Sequence, residues 1–187
     1  MAAPPSSTTT GVIAKDVDRK CVETVVGFLQ RVGSSSYIPD NMSTKDFYSN
    51  VVGVHLKVHQ IQRGRVTCFF SVKPAVANAY GGVHGGAVGA IAERMAIACA
   101  RTVVSEDREI FLAELSLSYL YAAPKNFAAF AMWFSVPETQ SVLIVDASVS
   151  RSGKTVTVVA VDFKFKESGK VYYSCHATFF NMPVAKL

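Results

Sequence analysis

Apolar and polar residues alternate in two runs, residues 51–60 and 64–72, and this pattern predicts two β-strands that end before Pro74. The period then changes, because residues 85–104 are apolar at helical spacing and predict one long helix. Five more strand-like runs follow, separated by turn sequences rich in Gly, Pro and Asn: residues 109–120, 127–137, 142–151, 155–165 and 170–180. Short connections of this kind favour antiparallel neighbours.

The long helix is apolar on nearly all sides, so it is expected to be enclosed by the rest of the domain. One curved antiparallel sheet wrapped around it would achieve this, which makes the predicted fold class α+β. Residues 1–14 are rich in Pro, Ser and Thr and predict a disordered segment, whereas residues 15–44 predict a helix, Lys15 to Val32, and a loop. The main domain is expected over residues 45–182, with a tail at 183–187.

Composition narrows the classes of partner. The 187 residues are half hydrophobic and carry a net charge of +5, but the basic residues are scattered, which does not favour nucleic acid and leaves a phosphorylated small molecule as an anionic partner. The four cysteines lie far apart without a CxxC pair, which favours buried free thiols over a zinc site, and no metal is expected. No secretory signal is recognised at the N-terminus.

A membrane span is also disfavoured. The apolar run from Ala87 to Val104 approaches the necessary length, but Glu93, Arg94 and Arg101 interrupt it. Each charge would cost several kcal/mol in lipid, so a buried core helix is the better interpretation.

Five glycines lie between residues 81 and 89, directly before and within the start of the helix. Their spacing matches neither the dinucleotide fingerprint nor the P-loop. Bare backbone N–H groups at a helix N-terminus can bind an anion or a developing oxyanion, and Gly85 and Gly86 permit close approach of a ligand. A tight turn with close helix–sheet packing is the alternative, and the sequence leaves both open.

Glu93 lies in the middle of the predicted core helix. A buried carboxylate is costly unless it is paired, so Glu93 is either in an ion pair, at a locally exposed edge, or a general base or nucleophile. Gly85 and Glu93 are eight residues apart, about 12 Å along a helix axis, too far for both to act on one carbon within one chain. If both act on one substrate, two chains related by a two-fold axis must share the site, which predicts a homodimer.

The segment from Asn78 to Gly86, which includes His84-Gly85-Gly86, is followed by an acid nine residues after the histidine. Together with "SLSYLYAAPK" (116–125) and residues 150–179, it resembles the hotdog-fold acyl-CoA thioesterases. The resemblance covers residues 45–180. Its nearest branch includes acyl-coenzyme A thioesterase thirteen and the phenylacetate-pathway and 4-hydroxybenzoyl-CoA enzymes.

This resemblance implies a role for each matching residue. The Gly85 N–H would stabilise the oxyanion of the thioester. Glu93 of the facing protomer would act as general base or as nucleophile through an anhydride, and the sequence does not separate these. Asn78 would orient water or the carbonyl, and His84 would hold the loop through hydrogen bonds.

The chain departs from the family pattern at two positions. Some relatives carry a serine that orients water on the strand after the helix, and Leu112 stands at that position here. Many relatives have Asp where this chain has Glu93, while others have Glu, and the adjacent Arg94 either lowers the pKa of that acid or faces the partner.

A coenzyme A thioester is expected as the substrate, with no separate cofactor. Its phosphates need cations, for which Lys125, Arg151 and Lys154 are candidates. The acyl pocket is expected to include Tyr80, with Gly86 allowing close approach.

The C-terminal Ala185-Lys186-Leu187 resembles the Ser-Lys-Leu signal that a peroxisomal import receptor binds. The expected location is the peroxisome, with the cytoplasm as the alternative. Fatty acyl-CoAs and, as in plant-like members, 1,4-dihydroxy-2-naphthoyl-CoA are both candidate substrates. The expected assembly is a homodimer, extended to a dimer of dimers.

Two other functions remain open. A hotdog hydratase or dehydratase would act on the same thioesters, but the spacing from His84 to Glu93 argues against it. A non-catalytic protein that binds acyl-CoA would fit the loss of the helper serine at Leu112.

Overall fold

The computed structural model describes Lys20 and residues 52–78, 82–121 and 142–184. The chain divides into two units, Met1–Lys45 and Asp46–Leu187, and every described residue except Lys20 belongs to the second. Lys20 is helical, within the helix predicted over residues 15–32. Other predictions lie outside the described residues: the rest of that helix, the strand at 127–137, Tyr80, Lys125 and the C-terminal tripeptide 185–187.

Within the described residues, six strands form one sheet, and each paired strand is antiparallel to its neighbour. The strand order is β1-β2-β4-β5-β6-β3, and one helix, α1, connects β2 to β3. The bounds are β1 Leu56–Gln62, β2 Arg65–Ser71, α1 Gly85–Arg101, β3 Arg108–Tyr119, β4 Val142–Ser152, β5 Val156–Phe165 and β6 Val171–Pro183, with a short 3-10 turn at Pro74–Val76. The predicted α+β architecture, a curved antiparallel sheet with one long helix against it, is confirmed.

Buried and less buried residues alternate along the strands, so only one face of the sheet packs against the helix. In β5, Val159, Val161 and Phe163 are fully buried, and the residues between them are half-buried on the other face. Gly64, in the two-residue turn between β1 and β2, has a φ of 77°, a conformation that glycine adopts without steric cost. The period-2 pattern therefore predicted these strands correctly, since half-buried strands must alternate.

The strand predicted from residue 51 is wrong at its start. Val52 and Gly53 are helical, and β1 begins only at Leu56. Val52 and His55 are 3% and 4% exposed, and the N–H of His55 donates to the carbonyl of Val52 at 3.4 Å. Two buried side chains three residues apart are spaced for a helical turn, which explains why no strand forms there.

Only one side of α1 is buried, so the expectation that the helix is enclosed on all sides is wrong. The buried side consists of Ala87, Val88, Ile91, Ala92, Met95, Ala96, Cys99 and Ala100. Gly86, Arg94, Ile97, Ala98 and Arg101 are exposed. Alanine and glycine count as apolar in a sequence pattern, but they bury too little surface to require enclosure.

Helix α1 ends three residues earlier than predicted, at Arg101 rather than Val104. The hydroxyl of Thr102 donates to the carbonyl of Cys99 at 2.6 Å and accepts from the N–H of Gly64 at 2.8 Å. The Cys99 carbonyl accepts from both the N–H and the hydroxyl of Thr102, and the hydroxyl joins the helix end to the β1–β2 turn.

The described thiols and carboxylates do not form a metal site. Cys68, Cys99 and Cys175 are buried and free, as predicted, and burial raises the pKa of Cys99 and of Cys175 to about 11. No cluster of three or more His, Cys, Asp or Glu side chains is present among the described residues. None of the helices in the described part of the chain is both long and apolar enough to cross a bilayer.

Candidate active site

The loop before α1 is closed on itself by backbone and side-chain hydrogen bonds of Asn78. The N–H of Asn78 donates to the carbonyl of Gly82 at 2.7 Å, and its Oδ1 accepts from the N–H of Gly82 at 3.0 Å. Its Nδ2 donates to the carbonyl of Val83 at 3.3 Å, and Ala77 and Val83 form an antiparallel bridge. Asn78 is thus placed to hold the loop that leads into the helix.

His84 is the N-cap of α1. Its φ of −64° and ψ of 130° are extended, and its Nδ1 accepts from the N–H of Gly86 at 3.0 Å. The N–H of His84 donates to the carbonyl of Val76 at 2.8 Å. The imidazole therefore acts on the helix start as a capping acceptor, the role usually taken by Ser, Asn or Asp.

Most of the N–H groups in the first turn of α1 have acceptors. Gly86 donates to Nδ1 of His84, and Ala87 and Val88 donate to the carbonyl of His84 at 2.9 and 3.1 Å. Within residues 52–78, 82–121 and 142–184, no group accepts from the N–H of Gly85. Gly85 thus offers a backbone donor at the positive end of the helix dipole.

The glycines of α1 also allow strand β3 to pack closely. A Cβ on Gly85 would lie 3.3 Å from the hydroxyl of Tyr119, and a Cβ on Gly89 would lie 3.4 Å from Cδ1 of Leu117. The hydroxyl of Tyr119 donates to the carbonyl of Gly85 at 3.0 Å. The close helix–sheet packing that the sequence offered as one alternative for these glycines is therefore present. The anion or oxyanion site offered as the other alternative stays a prediction.

Glu93 is half-buried rather than enclosed within the core. It continues the row of residues four apart that begins with Gly85 and Gly89, on the flank of α1 that faces β3. In the described part of the chain its carboxylate makes neither an ion pair nor a hydrogen bond. The neighbouring Arg94 is exposed and reaches back to the turn at Gly53, whose Cβ would lie 3.3 Å from its Nη1.

Arg151 and Lys154, the predicted phosphate contacts, do not lie beside Gly85 in the same subunit. Lys154 lies beside Arg108, the first residue of β3, because its carbonyl accepts from Nη1 of Arg108 at 3.2 Å. Gly85 lies beside Tyr119, the last residue of β3. A strand of this length advances about 36 Å between its ends. Arg151 is exposed near the end of β4, paired with Val158 of β5.

Sequence reasoning did not single out Tyr119 or Lys170 at the Gly85 end of the sheet. Nζ of Lys170 lies 3.5 Å from the ring centroid of Tyr121, two residues beyond Tyr119. Tyr119 lies inside the segment "SLSYLYAAPK", so the resemblance pointed to its region without assigning it a role. Lys170 gave no signal, because a lysine in a turn is usually a solvated residue.

Comparison with solved structures identifies the architecture. AziG from S. sahachiroi superimposes with a TM-score of 0.60 at 19% identity, over 73% of this chain and 97% of that one. Zebrafish thioesterase superfamily member 2 gives 0.58 at 17% identity, over 84% and 96%. The protein smu.793 of Streptococcus mutans UA159, bound to acetyl CoA, gives 0.56 at 17% identity, over 70% and 91%. The fold is therefore the hotdog fold, as the sequence resemblance implied.

At the level of sequence, no curated protein matches the chain. One family model does, described as "Domain of unknown function (DUF4442)", and it matches residues 44–179. Since that match runs from before β1 into β6 and covers well over half of the chain, the chain belongs to the DUF4442 family.

Proposed function

We propose that the protein is an acyl-CoA thioesterase, which hydrolyses an acyl-CoA thioester to a carboxylic acid and coenzyme A. The observation that carries this proposal is the N–H of Gly85 at the first position of α1, beside N–H groups that already have acceptors. A donor in this position can bind the oxygen that becomes negative when a thioester carbonyl is attacked. The hotdog fold of thioesterase-superfamily structures and the acetyl CoA bound to smu.793 support the same substrate class.

The mechanism requires an acid residue opposite Gly85. In the general-base route, Glu93 takes a proton from water, and the water oxygen attacks the thioester carbon. The Gly85 N–H stabilises the tetrahedral oxyanion, and the C–S bond then breaks. The coenzyme A thiolate leaves and takes the proton back from Glu93.

A nucleophilic route uses the same two groups. The Glu93 carboxylate attacks the carbonyl carbon, coenzyme A leaves as the thiolate, and water hydrolyses the resulting anhydride. A single turnover in ¹⁸O-labelled water distinguishes the routes. In the nucleophilic route, water that attacks the Glu93 carbon of the anhydride places the first label in the Glu93 carboxylate, whereas the general-base route labels only the product acid. Label in Glu93 therefore identifies the nucleophilic route.

A second copy of the chain completes the proposed site. Gly85 and Glu93 are about 12 Å apart along α1, and Gly89 lies midway between them. A two-fold axis beside Gly89 would set each Glu93 against the partner's Gly85. We assign the interface of this homodimer to the flank of α1 that carries half-buried Glu93 and exposed Ile97. Leu112 of β3, which is 36% exposed, belongs to the same surface.

Substrate recognition follows from the same arrangement. We assign Lys170, which lies near the end of β3 that contacts Gly85, to an anionic part of coenzyme A. Arg151 and Lys154 lie at the opposite end and would serve the Gly85 site only from the facing subunit, whose helix runs the other way. Fatty acyl and aromatic acyl groups, including 1,4-dihydroxy-2-naphthoyl, both remain within this proposal.

The test is thiol release from a panel of aliphatic and aromatic acyl-CoAs, with Glu93→Gln and Glu93→Ala beside the wild type. We expect both variants to lose about 10²-fold or more in kcat, as is usual when a general base is removed. Glu109→Gln is the matched control, since it makes the same substitution at an exposed carboxylate, at the opposite end of β3 from Tyr119. A wild type that releases no thiol from any acyl-CoA overturns the function, and full activity of Glu93→Gln overturns the assignment of the acid.

A non-catalytic acyl-CoA-binding protein is the second candidate, and Leu112 favours it. Leu112 stands where the resemblance expects a water-orienting serine, and its side chain has no polar atom for that task. Acyl-CoA binding in calorimetry without thiol release would identify this function instead.

A further inference from the structure

The last residue of β3, Tyr119, touches the residue that carries the proposed oxyanion donor. Its hydroxyl donates to the carbonyl of Gly85 at 3.0 Å. Its Oη, Cε1 and Cζ would lie 3.3, 3.6 and 3.6 Å from a Cβ on Gly85. The ring therefore lies directly against the glycine backbone, in space that any other residue would fill with its own side chain.

The position of Gly85 explains why such a contact matters. Glycine has the widest backbone freedom of any residue, and the first residue of a helix has no intrahelical bond from its own N–H. On one side of Gly85 the His84 carbonyl is held by the N–H groups of Ala87 and Val88. On the other side the Gly85 carbonyl accepts from the hydroxyl of Tyr119 in addition to the intrahelical bond from the N–H of Gly89. The two peptide groups that meet at Gly85 are thus fixed from both sides.

Tyr119 is itself anchored to the core. Its ring meets that of Tyr173, its register partner on β6, edge to face at 5.6 Å. Tyr173 is 4% exposed and packs on Phe163 at 5.8 Å. Tyr119 is nevertheless 54% exposed, so one side of the ring is held by the core while the hydroxyl reaches the helix start.

We infer that Tyr119 is a positioning residue for the oxyanion donor: its hydrogen bond to the Gly85 carbonyl holds the Gly85 N–H in the orientation that stabilises the transition state. This inference rests on the proposed thioesterase function. It assigns Tyr119 no proton transfer and no covalent step. Its effect on the reaction passes through the backbone of Gly85.

Tyr121 is a matched control on the same strand end. It is 48% exposed and packs edge to face on Tyr172 at 6.0 Å, much as Tyr119 packs on Tyr173. In the part of the chain that the structure describes, its hydroxyl makes no hydrogen bond to α1. Tyr121→Phe therefore removes an equivalent hydroxyl without touching Gly85, and it keeps the ring over which Lys170 lies.

The experiment measures kcat and KM for thiol release by the wild type, Tyr119→Phe and Tyr121→Phe. Loss of one hydrogen bond predicts that Tyr119→Phe lowers kcat about five- to tenfold with KM unchanged, while Tyr121→Phe stays within about twofold of the wild type. Unfolding curves of both variants verify that they are folded. If Tyr119 had only a structural role, Tyr119→Phe would lower the stability without lowering kcat at unchanged KM.

Combining Tyr119→Phe with Gly85→Pro tests whether the effect of Tyr119 passes through the Gly85 N–H. In Gly85→Pro, which has no N–H at this position, adding Tyr119→Phe is expected to cost no further activity, because the group that Tyr119 positions is gone. If the wild type is active and Tyr119→Phe matches it, the inference fails and the proposed function stands. If Tyr119→Phe is equally harmful in both backgrounds, the inference also fails. A wild type without thiol release overturns the function and this inference with it.

Discussion

Nδ1 of His84 accepts a hydrogen bond from the N–H of Gly86 at 3.0 Å, so the residue before α1 caps the helix with its own side chain. We expect His84→Ala to lower the free energy of unfolding by about 1 kcal/mol, because the Gly86 N–H loses its acceptor. His84→Asn, which supplies a capping oxygen, is expected to retain most of the stability. Urea unfolding of the three proteins measures the difference, and equal midpoints for His84→Ala and wild type would contradict the capping role.

Two substitutions of Gly85 distinguish the effect of its N–H on activity from the effect of its missing side chain. Gly85→Pro removes the N–H, yet proline is well accepted at the first helical position, and the ψ of 130° at His84 suits a residue before proline. Gly85→Ala adds a Cβ against Tyr119 but keeps the N–H. We expect Gly85→Pro to lose about 10²- to 10³-fold in kcat for thiol release and Gly85→Ala to lose much less. Equal losses would show that the contact with Tyr119, rather than the N–H, matters.

Mixing two inactive variants tests whether the site is shared between subunits. A heterodimer of Glu93→Gln and Gly85→Pro contains one site with both native groups and one site with neither. After subunit exchange at equal concentrations, we expect recovery to about a quarter of wild-type activity, because half of the dimers are mixed and each has one working site. A site contained in one subunit predicts no recovery at all.

Asp146 predicts a loss of stability in acid. Arg65 donates to it from Nε at 2.9 Å and from Nη2 at 2.6 Å, and Lys164 donates from Nζ at 3.1 Å. The hydrogen bond from Arg65 is the largest cause that lowers the pKa of Asp146 to about 2, against an ordinary value of 3.8. Since the folded state holds the depressed pKa, this stabilisation is complete above about pH 4 and is lost as the pH falls towards about 2.

Asp146→Asn is therefore expected to reduce stability at neutral pH by on the order of 1 kcal/mol, a value moderated by the exposure of Arg65. It is also expected to flatten the dependence on pH between about 4 and 2. Thermal unfolding across that range compares the variant with the wild type. A wild type whose stability does not change there would contradict the prediction.

The buried side chain of His55 predicts that the stability of the fold also depends on pH closer to neutrality. It is 4% exposed, its ring meets that of Phe70 edge to face at 6.4 Å, and its Nδ1 has no partner among the described residues. Burial, and then the charge of Lys73, lower its pKa below the ordinary 6.5. The unfolded chain therefore binds the proton first, so this contribution is complete above about pH 6.5 and declines as the pH falls further. We expect His55→Phe to weaken the slope of stability between about pH 6.5 and 5, as measured by urea unfolding.

The elements predicted best from sequence are those whose pattern had one physical explanation. Strands β4, β5 and β6 were predicted to within three residues, because alternating burial on a single sheet face admits no other period. The beginning of β1 was not, because Val52 and His55 pack as a helical turn before the strand starts. Similarly, the alanines of α1 made the helix look apolar on every side, although only one side is buried.

The sequence by itself determined the fold class, the hotdog resemblance and the chemistry available at the start of α1, because turn residues, periodicity and the glycine run are local properties. The tertiary structure alone decided that the hydroxyl of Tyr119 binds the Gly85 carbonyl, that Lys170 lies at the Gly85 end of the sheet, and that Arg151 and Lys154 lie at the other. These relationships join residues that are distant in the chain. They depend on strand register and on the direction in which β3 returns along the helix, which no local pattern encodes.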